Sequence, residues 1–212
     1  TEVTQGFTVS KADQVITFEA IADKTYGDAS FDLVASSDVE LEVVLSVQSG
    51  PATIDGTTVS ITGAGEAVIA ANQSGDDNYN AAPEVIQSFN VAKADQHISV
   101  TEIADKEITD AAFDVEASVD TGLELTYVVE GPATIDGTTI TLDGTTGVVY
   151  VTVSQAGTDN YNEASTQTSF SVSDPSKTDQ TISFEALADK TFGDADFTIA
   201  ATASSGLSVE FT

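Results

Sequence analysis

The stretch Gln155-Ala-Gly-Thr-Asp-Asn-Tyr-Asn-Glu-Ala164 decides how this chain folds, because a near twin, Gln73-Ser-Gly-Asp-Asp-Asn-Tyr-Asn-Ala-Ala82, lies about 80 positions earlier. Each copy stands between two runs in which apolar and polar residues alternate, such as Val149, Val151 and Val153 before the second copy. Alternation with period 2 indicates half-buried strands, and the Gly, Asp and Asn cluster indicates a turn-rich loop. Each copy therefore predicts a strand, a loop and another strand.

The tyrosines of these loops, Tyr79 and Tyr161, are predicted to be structural residues. A tyrosine where a loop closes over the end of a sheet can cover the hydrophobic core with its ring. Its hydroxyl can then hydrogen-bond to the backbone.

Further repeats divide the chain into units. Lys11-Ala-Asp-Gln14 recurs as Lys93-Ala-Asp-Gln96 and Lys177-Thr-Asp-Gln180. The predicted units are the last strand of a preceding repeat (1–10), two whole repeats (11–92 and 93–176) and the first half of a further, truncated repeat (177–212). We expect the chain to belong to a longer array, and we expect residues 177–212 to be ordered only where something covers their open core.

Each whole repeat predicts about seven short strands in about 80 residues, with turn signals every 8–12 residues. Residues 50–58 recur letter for letter at 131–139, and both copies contain Asp-Gly between two strand-like runs. Asp-Gly predicts a two-residue hairpin whose turn positions both have positive φ, which makes Gly56 and Gly137 structural residues. The predicted fold class is all-β, with tandem immunoglobulin-like antiparallel β-sandwich domains.

The net charge of the chain limits the classes of partner that it can bind. Lys and Arg together number 6 against 35 Asp and Glu, so the formal net charge is −29. Such a surface repels phosphate backbones and anionic headgroups, and no apolar run approaches the length of a membrane helix, so neither nucleic acid nor membrane insertion is expected. The chain has no Cys, which excludes disulfides and thiolate metal sites.

No residue pattern indicates catalysis. His97 is the only histidine, and the matching positions in the other repeats are Val15 and Thr181. The pattern predicts an ordinary surface residue rather than part of a Ser-His-Asp site, and nothing isolates two carboxylates in an apolar pocket. We therefore expect no enzyme activity.

The units resemble bacterial immunoglobulin-like (Big/MBG-type) tandem repeats of large surface adhesin-like proteins. The resemblance is carried by the box Thr25-Tyr-Gly-Asp28 and by the Gly-x-x-x-Tyr-x-x-Ala pattern at 75–82 and 157–164. The box changes to Glu107-Ile-Thr-Asp110 and Thr191-Phe-Gly-Asp194, so only its aspartate is constant. The resemblance implies an extracellular protein, secreted or anchored at the cell surface, whose repeats form a stalk or spacer.

Calcium is the one cofactor that the sequence raises, because Asp and Asn oxygens are the hard ligands that Ca²⁺ prefers. A metal at a unit boundary would fix the angle between units. The alternative is that these side chains cap their own turns, and no EF-hand loop occurs. The candidate calcium ligands are Asp76, Asp77, Asn78, Asp159, Asn160, Asp28 and Asp110.

Three functions remain open. The short segments between units predict a stiff rod, so the first function is a spacer whose partners are the neighbouring repeats of the same chain. The second is a ligand-binding module for a cell-surface glycan or protein. Tyr150 is the aromatic residue predicted to face outward, although the matching residue of the first repeat is Val68. The third is self-association with other copies of the chain in a filament.

Overall fold

The structure is a computed structural model that describes residues 2–177 and 179–212. The described residues form twenty β-strands and no helix, and so include no helix long and apolar enough to cross a bilayer. The fold is all-β and consists of immunoglobulin-like antiparallel sandwiches in tandem, which confirms the predicted fold class.

The first unit builds two layers from nine strands. These are β1 (Ile16–Phe18), β2 (Lys24–Thr25), β3 (Phe31–Asp32), β4 (Ala35–Ser37), β5 (Val44–Ser49), β6 (Ala52–Asp55), β7 (Thr58–Ile61), β8 (Gly65–Asn72) and β9 (Val85–Ala92). One layer has the strand order β2-β9-β8-β5, in which only the β2–β9 pair is parallel. The other layer contains β3-β7-β6 and the pair β1-β4.

The alternation of Phe31, Leu33 and Ala35 predicts a single second strand, but this run forms the two short strands β3 and β4 instead. β3 pairs with β7, and β4 pairs with β1. Between them the backbone N–H of Leu33 donates to the carbonyl of Thr57 at 2.9 Å. The chain therefore changes partner at Leu33, and one interrupted strand links both pairs.

The second unit repeats this arrangement. Its strands are β10 (Ile98–Val100), β11 (Lys106–Glu107), β12 (Phe113–Asp114), β13 (Ala117–Val119), β14 (Thr126–Glu130), β15 (Ala133–Asp136), β16 (Thr139–Leu142), β17 (Gly147–Gln155) and β18 (Ala164–Ser173). The sheet orders are β11-β18-β17-β14, β12-β16-β15 and β10-β13. The two units thus share one topology.

Each unit has its own hydrophobic core. An edge-to-face phenylalanine pair joins the two layers in each core: Phe31 with Phe89 and Phe113 with Phe170, both with ring centroids 5.6 Å apart. Such pairs contribute about 0.5–1.5 kcal/mol beyond the area that they bury. Because the residues that recur in sequence fill equivalent places in both cores, each unit is closed by its own packing.

The hairpin turns differ from the prediction in one respect. Asp55 pairs with Thr58, so the turn residues are Gly56 and Thr57, and only the glycine has a positive φ, 62°. A single positive φ at the first turn position is the type II′ pattern rather than the expected type I′. Gly137 (φ 60°) occupies the same place in the second unit. Asp55 remains in the strand ladder, which shifts the turn by one residue.

Two strand boundaries also differ. The alternation of Leu41, Val43, Leu45 and Val47 predicts a third strand that begins at Leu41, but the strand begins at Val44. Leu41 and Val43 are half-buried, and Val43 packs against the core. The short strand β2 follows no alternation in the sequence. It forms because its backbone pairs in parallel with the end of β9, where Lys24 lies opposite Val91.

The third unit has a single strand pair among its described residues, 179–212. β19 (Ile182–Phe184) pairs with β20 (Ala201–Ala203). Ile182 is 64% exposed, whereas its counterpart Ile16 in the first unit is 5% exposed. The segment that matches the last strand of a repeat, 2–10, forms no strand in the structure. The predicted unit boundaries stay predictions.

Candidate functional site

A glutamine that is buried in the first unit and half-buried in the second joins the first segment of each unit to the Tyr loop of the same unit. Gln14 is 2% exposed, and its amide N–H groups donate to Gln73 Oε1 (2.6 Å) and to the carbonyl of Asn80 (2.7 Å). Its amide oxygen accepts from the Ser37 hydroxyl at 2.9 Å. Because an unpaired buried amide is costly, these bonds hold the Lys-Ala-Asp-Gln segment against the loop.

The second unit has the same network. Gln96 donates to Gln155 Oε1 (2.5 Å) and to the carbonyl of Asn162 (2.6 Å), and it accepts from the Thr121 hydroxyl at 3.0 Å. Thr121 thus takes the role that Ser37 has in the first unit. The Gln of the recurring segment is therefore a structural residue in both units.

The backbone of this segment also pairs with the loop. Ala12 donates to the carbonyl of Asn78 at 2.9 Å and accepts from the N–H of Asn80 at 2.8 Å. Ala94 makes the same two bonds with Asn160 and Asn162, both at 2.9 Å. The Tyr loop is thus fixed at the point where the chain enters each unit.

Lysines reinforce this attachment. Lys11 Nζ donates to the carbonyl of Asp76, and Lys93 Nζ donates to the carbonyl of Thr158 at 2.7 Å. The lysines thus bind carbonyl oxygens of the loop. The repeat pattern alone did not predict these contacts.

The loop needs a glycine at its start. Gly75 has φ +76°, and a Cβ there would lie 2.4 Å from the carbonyl oxygen of Tyr79. Gly157 has φ +79°, and a Cβ there would lie 2.7 Å from the carbonyl oxygen of Tyr161. Both the left-handed backbone and the close approach of the chain exclude a side chain.

The two complete units meet at two tyrosines. The N–H of Tyr26 donates to the carbonyl of Ala92 at 2.9 Å, which places Tyr26 beside the end of β9, where the chain leaves the first unit. Its ring packs edge to face on the ring of Tyr161 in the second unit, with centroids 5.4 Å apart and an interplanar angle of 89°. The box of one unit therefore contacts the loop of the next.

A hydrogen bond next to the rings completes this joint, which we define by Tyr26, Gly63, Ala64, Asn160 and Tyr161. Asn160 Oδ1 accepts from the N–H of Ala64 at 2.9 Å. A Cβ on the buried Gly63 would lie 3.1 Å from the same oxygen. Asn160 thus hydrogen-bonds to the backbone of the first unit beside Gly63, where a larger residue would crowd the Asn160 side chain. The two complete units therefore touch at two separate points.

The predicted role of the loop tyrosines as covers of their own cores stays a prediction. Neither Tyr79 nor Tyr161 lies among the described hydrophobic residues packed against the two cores, whereas Tyr26 packs against the first core. The ring of Tyr161 contacts the neighbouring unit through Tyr26. This contact is possible because the loop of the second unit lies where the chain enters that unit, beside Ala94.

The aspartate of the recurring box is a turn cap. Asp28 Oδ2 accepts from the N–H of Thr25 at 2.9 Å, Asp110 Oδ2 from Glu107 at 3.0 Å, and Asp194 Oδ2 from Thr191 at 2.8 Å. This bond explains why the aspartate is the constant residue of the box, since the residue at the tyrosine position takes no part in it.

The remaining calcium candidates do not converge. Asp76 Oδ1 accepts from the N–H groups of Asn78 (2.7 Å) and Tyr79 (2.8 Å), while Asp77 and Asp159 are exposed. Within residues 2–177 and 179–212, no three His, Cys, Asp or Glu residues are grouped so that they could hold a metal ion. Calcium binding stays a prediction.

One carboxylate in the second linker has a shifted pKa. The pKa of Asp174 lies below its ordinary value, mainly because the side chain and then the backbone N–H of Ser176 donate to it, with a smaller contribution from Lys177. Lys177 Nζ lies 3.8 Å from Asp174 Oδ2. These bonds form a small turn around Pro175, between the second and third units.

Two features bear on ligand binding. An open groove of about 620 Å³ lies in the first unit between the β4–β5 connection and the β6–β7 turn, lined by residues such as Leu41, Val43 and Ile54. Tyr150 is 44% exposed on β17, as the alternation predicts. His97 is exposed and precedes β10.

No protein-family model and no curated protein matches the chain. Among solved structures it is similar to Drosophila N-cadherin EC1-4 (15% identity, TM-score 0.30, 91% of this chain and 57% of that chain). It is also similar to a SusE-like surface-located polysaccharide-binding protein of Bacteroides thetaiotaomicron (14%, 0.31, 75% and 34%) and to Sidekick-1 immunoglobulin domains 1–4 (10%, 0.35, 76% and 50%). The chain spans 57% and 34% of the first two. These similarities carry no argument about function.

Proposed function

We propose that these units are spacer repeats of an extracellular, adhesin-like bacterial protein, secreted or anchored at the cell surface, and that they extend a binding region away from the cell. The observation that carries this proposal is the joint. At this joint the ring of Tyr26 packs on the ring of Tyr161, and the N–H of Ala64 donates to Asn160 Oδ1. The units therefore contact each other at two separate points.

Two further features support it. The segment that leaves β9 is bound to the second unit within two residues, because Ala94 pairs with Asn160 and Asn162. A net charge of −29 makes neighbouring units repel each other, with a reach of about 8–10 Å at physiological salt, which favours an extended chain. A short bound linker and mutual repulsion are the properties that a spacer needs.

Spin labels test the stiffness of the joint directly. The chain has no Cys, so labels on Thr53→Cys and Thr134→Cys, at equivalent exposed sites of the two units, report one distance between them. We expect a narrow distance distribution that broadens in Tyr161→Ala. The matched control is Tyr79→Ala, which removes the same loop residue from the first unit without touching the joint.

Two results would overturn the proposal. One is a wild-type distance distribution as broad as that of Tyr161→Ala. The other is equal broadening in Tyr79→Ala, which would mean that the loop tyrosine acts within its own unit.

A further inference from the structure

The surface of the first unit around Tyr79 is built like the surface on which the second unit meets its neighbour. An isolated parallel β-bridge joins Ala12 to Tyr79, and the same bridge joins Ala94 to Tyr161. We call the surface of the first unit the entry face and define it by Ser10, Lys11, Ala12, Asn78 and Tyr79. The counterparts in the second unit are Ala92, Lys93, Ala94, Asn160 and Tyr161.

The second unit shows what covers such a face. The N–H of Tyr26 donates to the carbonyl of Ala92, and the ring of Tyr26 packs on Tyr161. The N–H of Ala64 donates to Asn160 Oδ1. Tyr26 and Ala64 lie at one end of the first unit, which we call its exit end. A face of this construction therefore binds the exit end of the unit before it.

The entry face of the first unit is open. Asn78 is exposed, whereas its counterpart Asn160 is half-buried in the joint. An open groove of about 430 Å³ has Ser10 and Tyr79 in its lining. Tyr26 bonds to the counterpart of Ser10 and packs on the counterpart of Tyr79. The groove therefore has the position that an aromatic ring occupies in the joint.

The segment in front of the entry face points to the same partner. Residues 2–10 align with the last strand of the first unit, so that Phe7 and Val9 match Phe89 and Val91. Phe89 and Val91 are buried, but Phe7 is 89% exposed and Val9 is 81% exposed. A preceding repeat with this segment as its last strand would bury both side chains and bring its own exit end to the entry face.

We propose that the entry face of the first unit is a docking site for the exit end of a preceding repeat. The aromatic residue of that repeat's box would fill the groove beside Tyr79, and a backbone N–H of its turn would donate to Asn78. The inference rests on the joint that carries the proposed spacer function. It adds a second site of the same kind and the chemistry that a neighbour needs to fit it.

The two complete units differ in their exit ends, so the site should select between them. The second unit has Ile108 where the first has Tyr26. The connection at 143–146 is also one residue longer than the connection at 62–64, and the Asp143 carboxylate caps it. Without the aromatic ring and with a longer turn, a unit like the second fits the entry face less well than a unit like the first.

The first unit itself serves as the probe. A second copy of residues 11–92 is inserted between Ser10 and Lys11 of the full chain, so the exit end of the inserted copy meets the original entry face. Because the chain has no Cys, spin labels on Thr53→Cys in both copies report one distance. The native chain with labels on Thr53→Cys and Thr134→Cys is measured alongside. We expect the same mean distance and the same narrow width in both chains.

Two controls match this measurement. Tyr79→Ala in the original unit removes the ring that faces the inserted copy and should broaden the distance distribution. The same substitution in the inserted copy lies outside the new joint and should leave the distribution unchanged. Insertion of residues 93–173 at the same place, with labels on Thr134→Cys and Thr53→Cys, should give a broader distribution, because Ile108 provides no ring.

Each other result has a definite meaning. The inference is overturned if the chain with the inserted first unit gives a broad distribution while the native chain gives a narrow one, or if Tyr79→Ala acts equally in both copies. Equal widths for the two insertions would overturn the selection by the exit end. A broad distribution in the native chain would overturn the spacer proposal as well. Unfolding midpoints equal to that of the native chain show that the inserted units fold.

Discussion

The ring of Tyr26 meets the ring of Tyr161 edge to face, with centroids 5.4 Å apart, although each tyrosine belongs to a different β-sandwich. Two motifs that look unrelated within one repeat, the Thr-Tyr-Gly-Asp box and the Gly-x-x-x-Tyr loop, are thus the two sides of a single joint. The contact exists only between successive units, so its energy couples their folding.

This coupling is measurable. Tyr26→Ala and Tyr161→Ala in a double-mutant cycle should show an interaction free energy of about 0.5–1.5 kcal/mol, the value typical of edge-to-face aromatic pairs. The measurement is urea unfolding of the whole chain. A cycle of Tyr26→Ala with Tyr79→Ala serves as control and should give an interaction free energy near zero, since these residues belong to one unit and their rings form no pair.

The buried Gln14 should contribute measurably to the free energy of unfolding of its unit. Gln14→Leu leaves the Asn80 carbonyl and the Ser37 hydroxyl without their partner, and we expect a loss of about 1–3 kcal/mol in the free energy of unfolding. Gln48→Leu, at an exposed position bonded only to Glu84, should change that free energy by less than about 0.5 kcal/mol. Equal effects of the two substitutions would contradict the role of Gln14.

Glycines with similar φ should differ in their tolerance of a side chain. In Gly75→Ala the Cβ would meet the Tyr79 carbonyl at 2.4 Å, whereas in Gly27→Ala, with φ +92°, it would meet nothing within 4 Å. We expect Gly27→Ala to cost about 1 kcal/mol for the left-handed backbone, and Gly75→Ala to cost at least about 1 kcal/mol more. Urea midpoints at a common slope provide the comparison.

Calcium should leave stability unchanged if the aspartates act as turn caps. Asp76→Ala removes the acceptor for the N–H groups of Asn78 and Tyr79, so it should lower the free energy of unfolding by about 1 kcal/mol, with and without Ca²⁺. Thermal unfolding at several Ca²⁺ concentrations checks this. A rise in Tm that grows with Ca²⁺ and disappears in Asp76→Ala would instead support a metal in this loop.

The second linker should respond to acid. Because the hydroxyl and N–H of Ser176 lower the pKa of Asp174 in the folded chain, this carboxylate should titrate below its ordinary value of 3.8. Its stabilising effect on the turn is present above the unfolded value and is lost as the pH falls through the folded pKa. Carbon-detected NMR titration of Asp174 gives the value, and Ser176→Ala should return it toward 3.8.

Alternation was enough to predict the interior of each unit. Phe31 and Phe89 recur at inward positions, and in the structure they form the aromatic pair of the core. The Asp-Gly pair alone did not predict the turn at Gly56, because Asp55 stays in the ladder opposite Thr58 and the carbonyl of Thr57 accepts a hydrogen bond from Leu33, which is distant in sequence.

Sequence patterns could not predict the joint, and the reason is physical. Whether Tyr161 faces its own core or the preceding unit depends on the direction in which Ala92 leaves β9 and Ala94 enters the next unit. Tyr26 in the recurring box was a partial signal for a contact, but the matching residue of the second unit is Ile108, so the sequence did not indicate that an aromatic ring is needed at this position. No sequence pattern indicated that Asn160 belongs to the joint, because its partner there is the backbone N–H of Ala64, which every residue type except proline provides.

The attachment of Lys11 and Lys93 to loop carbonyls has a practical consequence. With six lysines and no arginine, trypsin has few bonds to cut in this chain, and one of them follows Lys93, in the segment between the complete units. Cleavage there requires the segment to come away from Thr158 and Asn160. The rate at which a digest releases intact single sandwiches on a gel therefore reports how often this segment comes away from the loop of the second unit, without any label or added probe.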